Sequence, residues 1–244
     1  MNITAQNLDF RELNACLRAS DEDVCINDCY GQRFIASGAK DKTVTINGTP
    51  GNALGSYLDG AVIEVNGNAQ DAVGDTMNDG KIIIHGNAGD ALGYAMRGGS
   101  IFVQGNAGYR TGIHMKEYEN KRPVIVIGGE VGSFLGEYLA GGIIIVLGIG
   151  AKGAPIGNFT GTGMHGGHIY IRTNAELSGP QAAARLPEQV VAEVADDEAL
   201  KEIKQYISEF AGYFGQSAEE LMKDRFYVLR PNAKNPYKRL YTAN

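Results

Sequence analysis

The chain has 244 residues, of which 43% are apolar and 20% charged, and its net charge is −6. That balance excludes a nucleic-acid surface, which needs clustered Lys and Arg, and no stretch approaches the roughly 20 apolar residues of a membrane-spanning helix. Glycine is the unusual term, at 34 residues, and it recurs periodically instead of gathering in one flexible tract.

In chain order, residues 1–40 read as an N-terminal cap. Asp9–Leu17 has the pattern of a short helix, and Val24–Ile26 and Phe34–Ile35 are strand-like. A bare solenoid end would expose its core and a strand edge, so a cap is expected there.

Residues 41–175 carry the repeat. Gly55, Gly74, Gly93 and Gly112 are each 19 apart, as are Gly48, Gly67, Gly86 and Gly105. Taking the first set as reference, the preceding residue is Leu54, Val73, Leu92, Thr111, then Leu135 and Ile156 on the longer steps to Gly136 and Gly157. Three residues beyond it stand Leu58, Met77, Met96, Met115 and Leu139, and a glycine four residues before it completes G-x-x-x-G in every copy except that of Gln70. The pairs Val44/Ile46, Ile63/Val65, Ile82/Ile84 and Ile101/Val103 alternate as in strands with one buried face.

A turn this short holds two or three strands and tight corners, one coil of a parallel β-helix. Stacked at about 4.8 Å, roughly seven coils make a rod on the order of 30 Å long, and parallel crossovers are expected to be right-handed. Asn68, Asn87 and Asn106 share a column and are expected to form an asparagine ladder along the axis, starting at Asn68 because Thr49 precedes it.

The period breaks twice. The step from Gly112 to Gly136 is 24 residues, with the extra length at Met115–Pro123, a charged stretch suited to an exposed loop. The step from Gly136 to Gly157 is 21, with a glycine-rich stretch at Gly148–Gly157 that carries Lys152. Met164, Gly166 and Gly167, and the strand Ile169–Ile171 form the last recognisable coil. Insertions in solenoids bulge from one face, often the one used for contact.

Residues 176–244 form a flank that packs on the solenoid, one structural domain overall. Leu200, Ile203, Ile207 and Phe210 fall at helical spacing behind Asp196 and Asp197, and Ser217 with Glu220 makes a capping-box pattern before a second short helix. The prolines and tyrosines of 224–244 add little to a solenoid core and read as an extended docking tail.

Candidate chemistry is sparse. Cys16, Cys25 and Cys29 could offer three thiolates to a metal or iron–sulfur cluster, but they form no C-x-x-C pair, and small buried hydrophobes in the cap is the competing reading. His165 and His168 are the one close histidine pair, yet positions i and i+3 of a strand face opposite ways. Gly86–Gly93 resembles a dinucleotide fingerprint but lacks a following helix and recurs in each coil, so structural turns account for it. No catalytic, cofactor-binding or metal-ligating residue is assigned on this chain. No secretory leader is apparent at the start, and with an odd cysteine count the chain is expected to be cytoplasmic with reduced thiols.

The coil unit, as in Ile84-His-Gly-Asn-Ala-Gly-Asp-Ala-Leu-Gly-Tyr-Ala-Met-Arg-Gly-Gly-Ser-Ile101, resembles the G-X-G-X-G domain. That domain closes the large subunit of glutamate synthase, and a related one forms a scaffold subunit of formylmethanofuran dehydrogenase. The segments Asp224–Pro231 and Asn235–Tyr241 are similar to the end of glutamate synthase large subunits. The resemblance implies a non-catalytic scaffold of a split glutamate synthase, partnered by separate glutaminase and FMN/iron–sulfur synthase subunits. FMN and the iron–sulfur cluster would sit on those partners, and ammonia would pass from glutamine to 2-oxoglutarate between them. A formylmethanofuran dehydrogenase-type scaffold and a stand-alone protein-binding module remain alternatives, and self-association stays open.

Overall fold

A computed structural model of the chain describes residues 1–177, 182 and 185–232. One 11-stranded sheet runs through the molecule. It begins with β1 (Asn2–Thr4) and continues in strict parallel order through β2 (Val24–Tyr30), β3 (Thr43–Thr49), β4 (Asp59–Asn66), β5 (Asp79–Ile84), β6 (Ser100–Val103), β7 (Val124–Ile127), β8 (Ala140–Val146) and β9 (Gly166–Arg172). The strands β2 to β9 are eight rungs of a parallel β-solenoid, one more than the repeat predicts. The extra rung lies in the segment expected to be pure cap, where Val24 and Ile26 pair in register with Val44 and Ile46. Its glycine column is missing, which hid it from the periodicity.

The alternating pairs keep their register throughout. Val44, Ile63, Ile82, Ile101, Ile125, Ile144 and Ile169 form one inward row, and Ile46, Val65, Ile84, Val103, Ile127, Val146 and Ile171 another. Across the bore they meet the buried columns Leu54, Val73, Leu92 and Leu135, and Leu58, Met77, Met96, Met115 and Leu139. The opposing wall is a run of consecutive turns. Around each reference glycine, residues at −2, 0 and +2 all take left-handed φ, as at Ala91 (54°), Gly93 (67°) and Ala95 (51°). Their amides alternate direction: Ala91 N donates forward to Tyr109 O, Gly93 N backward to Val73 O, and Ala95 N forward to Ile113 O. Each coil is thus bonded to both neighbours along this wall.

Glycine is required at the reference position for two reasons. Besides its φ, a Cβ on Gly93 would lie 2.4 Å from Ile125 Cδ1, the methyl that fills the bore of the next coil. The other glycines of Gly-Asn-Ala-Gly make room for side-chain ladders. Asn87 Oδ1 accepts from Asn106 N at 2.8 Å, and Asp90 Oδ1 accepts from Tyr109 N at 2.8 Å. A Cβ on Gly105 or Gly108 would come within 2.3 and 2.1 Å of those same oxygens. The expected asparagine ladder therefore exists from Asn68 onward, but it mainly receives backbone N–H groups; the one amide–amide contact, Asn87 Nδ2 to Asn68 Oδ1, is long at 3.4 Å. A second ladder, Asn27–Asn47–Asn66, does join amides at 2.8 Å and was not legible, because its first member lies ahead of the repeat.

The first end of the bore is closed by α1 (Phe10–Ala19), held by a capping box of Asp9 and Glu12. Buried Asn14 supplies what a preceding coil would: its Oδ1 accepts from Ala36 N at 3.2 Å, while Nδ2 donates to Phe10 O and Arg33 O. Lys42 donates to carbonyls at the end of α1, those of Leu17 and the capping residue Ser20. Phe34 and Ile35 belong to the turn wall of this first coil, not to a strand, and Phe34 has φ 57°.

The last coil also departs from expectation. Gly161, not Gly157, carries the reference role, since Gly161 N donates to Leu135 O just as Gly136 N donates to Thr111 O. Ile156 pairs with Val131 instead, and buried Thr160 takes the column assigned to Ile156. The four-residue slip arises because G-x-x-x-G matches itself when displaced by its own length. Beyond it, β11 (Phe226–Pro231) lies antiparallel on β9, and β10 (Val190–Val194) antiparallel on β11. The first part of the expected docking tail is therefore an interior strand, with Phe226 to Leu229 buried. Residues 233–244 lie outside the described residues.

The outer face of the sheet is covered by α2 (Asp197–Phe214), followed by α3 (Ala218–Lys223). Ile203, Ile207, Phe210 and Phe214 pack against Phe102, Val126, Ile145 and Tyr170, a second core behind the bore. The middle strands are accordingly buried on both faces, not on one.

The double demand on the reference glycines is measurable. Gly38 also has left-handed φ (68°) but nothing within 4 Å of a Cβ. Gly38→Ala should cost only the backbone term, about 1–2 kcal/mol. Gly93→Ala should add an overpacking term of about 1–3 kcal/mol, and Ile125→Val, which deletes the clashing methyl, should recover part of it in a double-mutant cycle by urea unfolding. Equal losses for the two alanine variants would refute the steric argument.

Candidate functional surfaces

Among the sequence-level candidates, Cys16 is half-buried against the bore core and the others have local contacts. Cys29 is buried, and that burial pushes its thiol up to about 11 against the smaller opposing pull of the Gln32 contact, so it is protonated and unreactive at neutral pH. Cys25 Sγ sits beside the Asn27–Asn47 ladder at 3.5–3.8 Å. Among the described residues no three His, Cys, Asp or Glu side chains converge as a metal site. His165 lies just before β9, its Nδ1 3.1 Å from Gly163 O, whereas His168 on β9 meets Glu202 of α2 at 2.8 Å. Gly86–Gly93 forms the coil turn described above.

The insertion at Met115–Pro123 does not project freely. Tyr118 and Lys121 bridge to each other, Lys121 reaches Asp79 at 3.3 Å, and Arg122 spans from Glu117 (2.9 Å) to Glu202 (2.6 Å). Glu202 is the junction of this network. One carboxylate accepts from Arg122, contacts His168, and accepts from the buried Tyr170 hydroxyl, so α2, β9 and the insertion meet at it. Burial alone would raise its pKa, but the hydrogen bonds from Tyr170, His168 and Arg122 outweigh that and hold it below the usual carboxylate range. Burial, and then the Glu202 carboxylate, push the Tyr170 phenol well above its ordinary value. A second fastening joins Lys81 of β5 to Glu209 (2.7 Å) and to the Tyr213 hydroxyl (2.8 Å) on α2. Sequence reasoning missed this junction, because its members are as much as 80 residues apart.

The turn wall offers the contrasting surface. Tyr57, Tyr94, Tyr109 and Phe159 are 40–56% exposed along it. Two of them join ring contacts: Tyr94 meets His114 edge-on at 6.0 Å and His114 stacks on Tyr138 at 5.0 Å, while Phe159 stacks on Phe134 at 5.1 Å. Arg110 lies over Phe134 at 4.8 Å and pairs with Glu137 at 3.0 Å. Rings already stacked on one another lose little freedom on contact with a partner, and aromatic and Arg side chains are enriched at interface cores. The signal was present in sequence as rings at positions −3, −2, +1 and +2 of successive coils.

Fold and surface together define a glycine-repeat parallel β-solenoid with one sheet face sealed by helices and an aromatic turn wall left open. The chain belongs to the GXGXG motif family, whose pattern matches residues 21–232. It is 44% identical over 257 aligned positions to the uncharacterised protein MJ1350 of Methanocaldococcus jannaschii, covering 99% of this chain and 96% of that one. Among solved structures it is similar to a chain of the formyltransferase/hydrolase complex (FhcABCD) from Methylorubrum extorquens, crystallised in complex with methylofuran. That likeness has a TM-score of 0.64 at 22% identity, over 87% of this chain and 79% of that one. Among the described residues no helix is long and apolar enough to cross a membrane.

The Glu202 junction predicts both a stability and a pH effect. Glu202→Gln strips the charge that satisfies Arg122 and the buried Tyr170 hydroxyl and should cost about 1–3 kcal/mol in urea unfolding at neutral pH. Because the folded-state pKa of Glu202 is depressed, its contribution is full above the ordinary value of 4.5 and is lost as pH falls through the folded value. The gap between wild type and variant should therefore close below about pH 4.5. A gap unchanged in acid would remove the charge from the explanation.

Proposed function

We propose that this chain is a non-catalytic scaffold subunit that holds other subunits in register through its turn wall. The single observation that carries the reading is the set of half-exposed rings along that wall, Tyr57, Tyr94, Tyr109 and Phe159, which neither core takes up. Membership of the GXGXG family supports it, as does the engagement of the polar clusters in fastening one element to another.

Two assemblies fit. In the first the chain serves a split glutamate synthase and positions glutaminase and FMN/iron–sulfur synthase subunits for transfer of the glutamine amide nitrogen to 2-oxoglutarate. The similarity of Asp224–Pro231 and Asn235–Tyr241 to glutamate synthase termini favours it, and the cofactors would reside on the partners. In the second the chain serves a formylmethanofuran dehydrogenase-type complex; its fold likeness to a chain of the formyltransferase/hydrolase complex favours that.

Purification of the tagged chain from its native cells tests both. The first reading expects a flavin- and iron–sulfur-bearing partner and glutamine-dependent glutamate formation that the isolated chain lacks. Formyl-transfer activity in the eluate would instead select the second. In either case the pair Tyr109→Ser and Phe159→Ser should weaken partner retention by about tenfold or more while leaving the unfolding midpoint unchanged. Full retention by that variant would refute the turn wall as the docking surface.

A further inference from the structure

We propose that the crevice between the loop 148–153 and the C-terminal helices binds a small ligand through an oxyanion, a phosphate or carboxylate group. The inference is independent of the scaffold reading, because it concerns a different face and a different class of partner.

It begins with residues the coil does not need. From Gly136 to Gly161 the chain spends 25 residues where the regular coils from Gly55 to Gly112 spend 19, and the surplus includes the loop Gly148-Ile-Gly-Ala-Lys-Gly153. Elsewhere in the solenoid a left-handed φ or a neighbouring coil accounts for glycine. Gly153 has neither: its φ lies outside the left-handed region and no atom stands within 4 Å of where a Cβ would be. The space beside its backbone is open, and glycine at such a place permits close approach of another group.

That space is a crevice of about 780 Å³, bounded by the loop, by residues 172–175 after β9, and by α3. Its size is that of small-molecule sites, on the order of 300–1,000 Å³. The charges around it decide the ligand class. Its two acids are already spoken for: Asp224 accepts from Arg172, and Glu220 pairs with Lys223 at 2.5 Å. Lys152 on the loop has no ion-pair or hydrogen-bond partner among the described residues. Arg172 is itself spent, donating from Nη1 to Leu147 O at 2.8 Å and from Nη2 to Asp224. The amides of Gly150, Lys152 and Gly153, by contrast, have no acceptor among the described residues. What is left over is one positive charge and a set of N–H donors around a void, which is what an oxyanion requires.

The test uses the whole protein and two probes, inorganic phosphate and succinate, each titrated at constant ionic strength while backbone amide resonances are followed. Saturable shifts confined to residues 149–153 and 173–175 are expected for at least one probe. Saturation by phosphate alone assigns a phosphorylated ligand, and saturation by succinate alone a carboxylate. Lys152→Ala should weaken the response about tenfold, the effect of one lost charge-assisted contact. Gly153→Leu should abolish it with an unchanged unfolding midpoint, since that position has room for a side chain and no φ constraint. Shifts that never saturate with either anion, or that persist unaltered in both variants, would overturn the site.

Discussion

Successive coils approach one another so closely that the shape of a single methyl dictates the repeat. At Gly55, Gly74, Gly93, Gly112 and Gly136 a Cβ would fall 2.4–2.8 Å from the Cδ1 of an isoleucine on a neighbouring rung. The isoleucine needs that space to fill the bore, and the turn needs a left-handed residue at the same point. Both demands fall on one atom that is not there. Around it the other features follow: alternate amides of the turn wall reach forward and back, and the glycines of Gly-Asn-Ala-Gly stand aside for ladder oxygens from the coil before. Each ladder acceptor satisfies a backbone N–H that would otherwise be stranded at a corner of the coil.

A stack held by contacts between identical neighbours has no natural end, so both ends need substitutes. At the first end Asn14 accepts the Ala36 amide that a preceding coil would have taken. At the last, Thr160 N donates to Arg185 O, and Val190 places its Cγ2 where the next isoleucine methyl would stand, 2.7 Å from a Cβ on Gly161. The caps imitate a coil chemically without repeating its sequence. The antiparallel pair β11 and β10 then turns the sheet away from further parallel addition.

This explains which parts were legible in the sequence. The columns of the middle coils could be read because every one serves the same contact in each copy. The first rung could not, since Ala36 stands at the reference position with φ 56° and no glycine marks it. The last coil was displaced by four residues because G-x-x-x-G is blind to a four-residue shift, and the register is settled only by contacts made through the fold, Gly161 N to Leu135 O and Ile156 with Val131. The second core was half visible: Ile203, Ile207 and Phe210 announced a helix with an apolar stripe, but nothing local says that it lies on the outer face of the sheet. The Glu202 junction was invisible for the same reason, since spacing along a chain carries no information about a contact made through the fold.

The covering of the outer face by α2 also bears on function. A solenoid presents long faces, and in this one the sheet face is closed by an apolar interface and fastened at Glu202 and Lys81. That fastening draws in the insertion at Met115–Pro123, the segment whose charge first marked it as a contact loop. The aromatic residues of the turn wall behave in the opposite way. Nothing in the coil requires a ring at Tyr94 or Phe159, where other coils carry Asp75 and Ala91 at the equivalent places, and these exposed rings stack without being covered. A position that tolerates Asp or Ala in one coil and holds an exposed ring in the next is not set by the stack. The wall that the repeat leaves free to vary is therefore where a partner's requirements can be written into this sequence.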